Sequence, residues 1–129
     1  MRAIDPPLDP AEILARMQAA GLAWPAPRLV ARTGSTNDDV AALAAAGAPE
    51  GTSVVAEEQV HGRGRLDRSW VSPPGTGLWT SVLVRAGTEP KERWGLLAIV
   101  AGLAVRDAIA EACDVTVDLK WPNDVVVVA

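Results

Sequence analysis

The sequence is poor in the residues that build disulfide bonds and metal clusters. It contains one cysteine, Cys113, and one histidine, His61. A single cysteine excludes a disulfide within the chain and is typical of a reducing cytosol, so we expect a cytoplasmic location. Cys113 ends an apolar helical pattern, which predicts a buried thiol. His61 has no second histidine or cysteine nearby in the sequence to share a metal, and we interpret it as a loop residue.

Aromatic residues other than tryptophan are absent. The chain has five tryptophans and no phenylalanine or tyrosine, although 49% of its residues are hydrophobic. That hydrophobic content indicates a globular chain, and alanine and valine must fill much of its core. We expect Trp79 and Trp94 to lie in that core.

Positive charge is in the minority. Twelve lysines and arginines against sixteen acidic residues leave a net charge of −4, which argues against sequence-independent binding of nucleic acid. No apolar run approaches the length of a transmembrane helix, and residues 1–8 lack the apolar region of a signal peptide. We therefore expect neither a nucleic-acid partner nor a membrane.

Basic residues are nevertheless concentrated in one segment, G-R-G-R-L-D-R-S-W, from Gly62 to Trp70. Glycines let the backbone approach a ligand closely, and successive N–H groups can form a nest for an anion. Arginine side chains bind carboxylate or phosphate oxygens, and Trp70 offers a surface on which a base can stack. The segment predicts a site for an anionic ligand that carries a nucleotide. A solvated basic turn would show the same short pattern.

The chain before this segment begins with helix signals. Asp9, followed by Pro10 and Glu12, has the chemistry of a helix start, and Gly21 is a stop signal. We interpret residues 1–27 as a lead-in helix and linker, and 28–129 as the main domain. One helix without a partner does not form a helix-turn-helix that reads DNA.

Short strands are predicted next, at 28–33, 53–57 and 78–84. Between the first two, Ser35 with Asp38 or Thr36 with Asp39 predicts a capping box at a helix start. In the alternative reading, one hydroxyl caps the helix and its neighbour faces a ligand. Residues 58–77 are predicted to be a long irregular segment, and such segments tend to be functional.

The last part of the chain is predicted to be a helix and two strands. The helix opens at Pro90, and residues 115–121 alternate in polarity as a half-buried strand does. Residues 121–124, W-P-N-D, form a tight turn. Residues 125–128 are continuously apolar, which is typical of a strand covered on both faces. Lys120 then lies at a strand end, where rigid backbone fixes its ammonium group; an ordinary exposed lysine is the alternative.

Three motifs in this order, T-G-S-T-N at 33–37, G-R-G-R-x-x-R-x-W at 62–70 and K-W-P-N-D at 120–124, resemble those of biotin–protein ligases. Gln59 adds to the resemblance, which covers roughly residues 30–129. It implies an α+β fold, with a mixed sheet flanked by helices as in class II synthetase-like biotin/lipoate ligases. The implied activity is ATP-dependent formation of biotinyl-5'-AMP and transfer of biotin to a lysine of a biotin carboxyl carrier domain. Biotin and ATP would be substrates with Mg²⁺ expected, and a homodimer is left open.

The resemblance also implies roles for individual residues. The polar contacts to the ureido ring of biotin would come from Ser35, Thr36 and Gln59, and Asn37 of the same motif would also bind substrate. The residues that hold the carboxylate, the phosphate and the nucleotide would be Gly62, Arg63, Gly64, Arg65, Arg68 and Trp70. Lys120, with Arg63 and Arg65, would neutralise charge during adenylation. Asn123 and Asp124 would lie beside Lys120 on the ATP side, while the metal ligands stay unassigned.

Two features depart from the family pattern. Leu66 and Asp67 stand where family loops often carry a basic or small residue and a glycine, and Asp67 adds a negative charge near a phosphate site. The family also continues beyond Ala129, so we expect the fold to be incomplete at the C-terminus and these residues alone not to complete the ligation cycle. A non-catalytic biotin-binding fragment and a lipoate or octanoate transferase of the same superfamily are the alternatives.

Overall fold

The computed structural model describes residues 8–128, so the predictions made for residues 1–7 and for Ala129 lie outside the described range. The chain forms two compact units that divide between Arg85 and Ala86. The helices are α1 (Pro10–Ala19), α2 (Thr36–Ala45) and α3 (Gly95–Cys113). The strands are β1 (Arg28–Thr33), β2 (Ser53–Arg63), β3 (Ser69–Ser72), β4 (Trp79–Val82), β5 (Val117–Lys120) and β6 (Asp124–Val127).

The first unit is built around β2, the longest strand of a mixed sheet. β2 pairs in parallel with β1 along one edge, which sets Thr33 opposite Gln59. Along its other edge β2 pairs antiparallel with β4 through residues 53–56 and with β3 farther along. The buried apolar side chains among the described residues of this unit include Val54 and Ala56 of β2 and Val40 of α2. This mixed sheet with flanking helices confirms the predicted α+β class.

Local signals correctly predicted the first helix and the first strand. The Asp9 carboxylate accepts a hydrogen bond from the backbone N–H of Ala11 at 2.9 Å, and Pro10 is the first residue of α1. This bond satisfies one of the N–H groups that a helix start leaves free. Strand β1 has the predicted bounds, Arg28–Thr33.

The irregular segment predicted at 58–77 is wrong over much of its length. Strand β2 continues to Arg63 and pairs back with β3, so the arginine-rich segment is a β-hairpin and His61 is a strand residue. Only residues 64–68 connect the two strands. The register shifts between Gln59 and Gly62, as a β-bulge would cause, and bulges often lie beside functional sites.

The second unit consists of a 3₁₀ turn at Lys91–Arg93, helix α3 and a β5–β6 hairpin. The α-helix begins at Gly95 and not at Pro90, which precedes the 3₁₀ turn. Helix α3 packs on both strands, and Leu119 lies within 3.5 Å of the position that a Cβ on Gly102 would take. Residues 115–120 alternate between half-buried and exposed, as predicted.

Several burial predictions fail. Trp94 is 45% exposed and Val127 is 68% exposed, Cys113 is exposed, and Trp79 is half-buried. The continuous valine run does not have both faces covered, because one helix can cover only one face of a two-stranded hairpin. Over residues 8–128, no helix combines the length and the apolar character needed to cross a membrane.

Candidate ligand-binding site

Helix α2 begins against the side chain of Gln59. The side-chain oxygen of Gln59 accepts hydrogen bonds from the backbone N–H of Thr36 at 2.9 Å and from the Thr36 hydroxyl at 3.0 Å. Ser35 occupies the N-cap position but makes no capping bond with its side chain. The capping-box prediction is therefore wrong, because a strand residue and not a local side chain satisfies the free N–H of the helix.

Ser81 of β4 extends this network, and sequence reasoning had not identified it. Its hydroxyl lies 2.8 Å from the hydroxyl of Thr36 and forms a hydrogen bond of 2.5 Å with the side-chain oxygen of Asn37. A small polar residue inside the apolar run L-W-T-S-V-L-V was the available signal. These contacts among Thr36, Asn37, Gln59 and Ser81 form what we call the amide–hydroxyl network. The network joins the start of α2 to β2 and β4.

The network faces a cavity of about 190 Å³ in the first unit. Six of the residues predicted to bind substrate line it: Ser35, Thr36, Asn37, Gln59, Arg63 and Trp70. Ser35 and Thr36 are buried, with 4% and 3% of their surface exposed. The tertiary structure thus gathers hydroxyl and amide groups, one guanidinium group and the indole rings of Trp70 and Trp79 around a single space.

Arg63 enters this cavity with a carboxylate partner. Its guanidinium group forms an ion pair with Asp38, in the first turn of α2. Both side chains are mostly exposed, at 62% and 58%, so solvent screens the pair and it adds little stability. The neighbouring Asp39 accepts a hydrogen bond of 2.6 Å from Thr33 instead. Neither aspartate takes the capping role expected of it.

Gly62 belongs to the β2 strand of the hairpin and packs against Gln59. It is buried and pairs with Trp70 across the β2–β3 ladder. A Cβ at this position would lie 3.1 Å from the Cβ of Trp70 and 3.2 Å from Nε2 of Gln59. A side chain here would therefore require Trp70 or Gln59 to shift by a few tenths of an ångström.

The tip of the hairpin holds the two residues that depart from the family pattern. Leu66 and Asp67 both have φ of 58°, as the two central residues of a type I′ turn require. The backbone N–H of Arg68 closes the turn with a bond of 3.4 Å to the Arg65 carbonyl, and the N–H of Gly64 donates to the Arg68 carbonyl at 2.7 Å. Within the described part of the chain, Asp67 makes no salt bridge with Arg65 or Arg68. All three side chains are exposed.

The K-W-P-N-D motif lies in the second unit. Lys120 ends β5 and pairs with Asp124, the first residue of β6, so 121–123 form the hairpin connection. The peptide bond between Trp121 and Pro122 is cis. The side chains of Lys120, Asn123 and Asp124 are exposed. The predicted turn and the strand-end position of Lys120 are thus confirmed.

The described residues contain no group of three or more histidine, cysteine, aspartate or glutamate side chains placed to share a metal ion. Mg²⁺ usually binds one or two protein carboxylates together with substrate phosphates and water. The carboxylate of Asp124 and the amide oxygen of Asn123 are donors of the type that Mg²⁺ prefers. The donor set therefore fits a magnesium ion that ATP holds jointly with the protein.

Comparison with known proteins gives a consistent result. Residues 29–129 match the model of the biotin/lipoate A/B protein ligase family. The chain is 43% identical over 124 residues to the biotin–[acetyl-CoA-carboxylase] ligase of Mycobacterium tuberculosis, covering 93% of this chain and 47% of that protein. It is 42% identical over 93 residues to the bifunctional ligase/repressor BirA of Bacillus subtilis, covering 72% of this chain and 28% of the relative.

Solved structures of similar proteins share the fold. The biotin protein ligase of Leishmania major in complex with biotinyl-5-AMP aligns with a TM-score of 0.68 and 31% identity, covering 78% of this chain and 47% of that one. The Aquifex aeolicus ligase in complex with biotin and ATP aligns with a TM-score of 0.61 and 35% identity, covering 77% and 40%. The chain thus spans less than half the length of each of these four proteins.

Proposed function

Because the chain belongs to the biotin/lipoate A/B protein ligase family, we propose that the protein is an ATP-dependent biotin–protein ligase. It forms biotinyl-5'-AMP from biotin and ATP, and transfers biotin to a lysine of a biotin carboxyl carrier domain. The observation that carries the proposal is one cavity lined by the amide–hydroxyl network, by Arg63 and by Trp70.

The network suits the ureido ring of biotin. That ring is neutral, and it presents a carbonyl acceptor and two N–H donors. The oxygen of Gln59 is occupied by Thr36, so the amide nitrogen of Gln59 is the donor left for a ligand. The remaining polar groups at the start of α2, Ser35 and Asn37, complete a lining that can both donate and accept.

Adenylation requires cations where the two substrates meet. A carboxylate oxygen of biotin attacks the α-phosphorus of ATP, a new P–O bond forms, and the bond to pyrophosphate breaks. Two anions approach each other in this step, so preorganised positive charge lowers the barrier. We assign that charge to Arg63, Arg65 and Lys120, and the assignment of Lys120 rests on its motif. Gly62, Gly64, Arg68 and Trp70 hold the adenylate, with Trp70 against the base.

Transfer requires little chemistry from the protein. The amine of a carrier lysine attacks the acyl carbon of biotinyl-5'-AMP, AMP leaves, and the lysine proton passes to solvent. Holding the mixed anhydride in place supplies much of the rate. In the preceding adenylation step, Asn123 and Asp124 would hold Mg²⁺ together with the triphosphate, and the metal would supply charge neutralisation. The single cysteine agrees with a cytoplasmic location for this reaction, as proposed from the sequence.

The proposal is tested by supplying biotin, ATP, Mg²⁺ and a purified carrier domain to the protein. We expect biotin-dependent release of pyrophosphate and labelling of the carrier lysine, and a loss of about a hundredfold in Arg63→Ala. The matched control is Arg16→Ala, since Arg16 is also exposed and paired with a carboxylate, but lies in α1. Binding of biotin without release of pyrophosphate would favour the non-catalytic alternative. Labelling with lipoate or octanoate in preference to biotin would favour the transferase.

A further inference from the structure

The amide–hydroxyl network contains three oxygen–oxygen contacts but too few hydroxyl protons to make each of them a hydrogen bond. Oxygen meets oxygen between Thr36 and Gln59 at 3.0 Å, between Thr36 and Ser81 at 2.8 Å, and between Ser81 and Asn37 at 2.5 Å. The two hydroxyl groups supply one proton each, and amide oxygens supply none. Two protons cannot make three hydrogen bonds.

The orientation of Gln59 is fixed, but that of Asn37 is not. A backbone N–H can only donate, so the bond from Thr36 N at 2.9 Å requires the oxygen of Gln59 at that position. Among the side-chain hydrogen bonds of the described residues, Asn37 has only its contact with Ser81. Turning its amide over places Nδ2 against the Ser81 hydroxyl and supplies the third proton. The two groups then move apart from 2.5 Å to about 2.8–3.0 Å, the usual length of an N–H···O bond. The bonds then run in one direction, from Asn37 to Ser81, to Thr36 and to Gln59.

We propose that Ser81 is a positioning residue that makes the cavity selective for a ring with both hydrogen-bond donors and acceptors. Ser81 accepts from Asn37 and donates to Thr36, so it sets the orientation of both groups. Asn37 then keeps its carbonyl oxygen as an acceptor, and Gln59 keeps its amide nitrogen as a donor. A cyclic urea uses both kinds of partner, whereas the dithiolane of lipoate and the chain of octanoate use neither. The inference rests on the proposed function.

The test compares ligand affinities of the purified protein by calorimetry. Ser81→Ala is expected to weaken biotin binding about five- to tenfold, the effect of one or two hydrogen bonds. The KM for ATP and the inhibition constants of lipoate and octanoate come from the pyrophosphate-release assay. They are expected to change by no more than about twofold, because these ligands make no use of the network. Ser81→Thr keeps the hydroxyl and is expected to retain the affinity for biotin.

The matched control is Ser53→Ala, a half-buried serine on the neighbouring strand that does not line the cavity. It is expected to bind biotin as the unchanged protein does. A general loss of affinity for all ligands in Ser81→Ala, or an unchanged affinity for biotin, would overturn the inference. If Ser81→Ala does not fold, Ser81→Thr decides: loss of biotin affinity in a folded Ser81→Thr variant would also overturn it.

The direction of the hydrogen bonds is tested separately with Asn37→Asp, which keeps an acceptor but removes the donor. We expect it to weaken biotin binding as Ser81→Ala does. The variant that carries both changes is expected to bind biotin no more than about twofold more weakly than either single variant. Additive losses would contradict the relay. Failure of the unchanged protein to bind biotin would instead refute the proposed function, so the two failures are distinguishable.

Discussion

The side-chain oxygen of Gln59 accepts a hydrogen bond of 2.9 Å from the backbone N–H of Thr36, 23 residues earlier in the chain. This bond ties the start of α2 to the central strand of the sheet and fixes which end of the Gln59 amide is left for a ligand. A helix start leaves several N–H groups without partners, and most proteins satisfy one with a local side chain. Here the partner is a residue of the candidate site, so we expect ligand binding to affect the stability of the helix start.

Gly62 and Gly64 provide a matched pair for testing the packing around Gln59. A Cβ at Gly62 would lie 3.2 Å from Nε2 of Gln59, whereas at Gly64 the nearest atom would be Cβ of Arg68, at 3.5 Å. We expect Gly62→Ala to displace the Gln59 amide and weaken biotin binding about tenfold, a loss of roughly 1.4 kcal/mol. Gly64→Ala meets only ordinary contact distances and is expected to lose less than threefold. Equal affinities of the two variants would contradict this explanation.

Asp38 competes with an anionic ligand for Arg63 in our interpretation. An exposed ion pair contributes about 0.2–1 kcal/mol, so Asp38→Asn is expected to lower the KM for ATP by up to about fivefold. Asp39→Asn is the control, because Asp39 also lies in the first turn of α2 and makes no salt bridge in the described structure. The loss of helix-start charge is the same in both variants. If the KM for ATP falls equally in both variants, or falls in neither, Asp38 does not compete with the ligand for Arg63.

Lys120 is expected to act in adenylation and not in binding of biotin. We predict that Lys120→Ala slows biotin-dependent release of pyrophosphate by about a hundredfold or more, because a fixed cation in the transition state is lost. The affinity for biotin, measured by calorimetry, is expected to change less than threefold. The chain's other lysine, Lys91, lies 5.9 Å from the ring centroid of Trp94 and serves as the control. An adenylation rate in Lys120→Ala equal to that of Lys91→Ala would remove this role.

Trp24 and Gly51 pack closely against each other, and neither lines the candidate site. Gly51 has φ of 82°, and an added Cβ would fall 2.1 Å from the Trp24 ring. Gly47 has a similar φ of 87° but no atom within 4 Å of that position. Gly47→Ala is expected to cost about 1–2 kcal/mol of unfolding free energy for its left-handed backbone. Gly51→Ala is expected to cost about 1–3 kcal/mol more for overpacking. Urea denaturation measures both unfolding free energies. Equal losses in the two variants would show that the Trp24 ring can move aside without loss of stability.

The order of elements in the second unit and the start of the first unit could be predicted from local sequence. Asp9 and Pro10 carry their helix signal within a few neighbouring residues, and the bounds of β1 follow from the short run R-L-V-A-R-T. The alternation of residues 115–120 likewise needs only the two-residue period of a strand. The order of the three motifs was sufficient to predict the family, because each motif requires particular residue types at fixed spacing.

The tertiary structure alone decided how the candidate site is assembled. Residues 58–63 include Glu58 and Gly62, whose residue types are depleted in strands. They extend β2 because β1 pairs with Glu58 and Gln59, and because β3 folds back to pair with the residues that follow. Thr36 is within capping distance of local carboxylates in sequence, yet its hydroxyl meets Gln59 and Ser81, the latter 45 residues away. Ser81 belongs to none of the motifs, and its only local signal is that it is a polar residue inside an apolar run. Sequence determines which donors and acceptors are present, but chain folding decides which of them meet, because a hydrogen bond depends on distance and direction and not on separation along the chain.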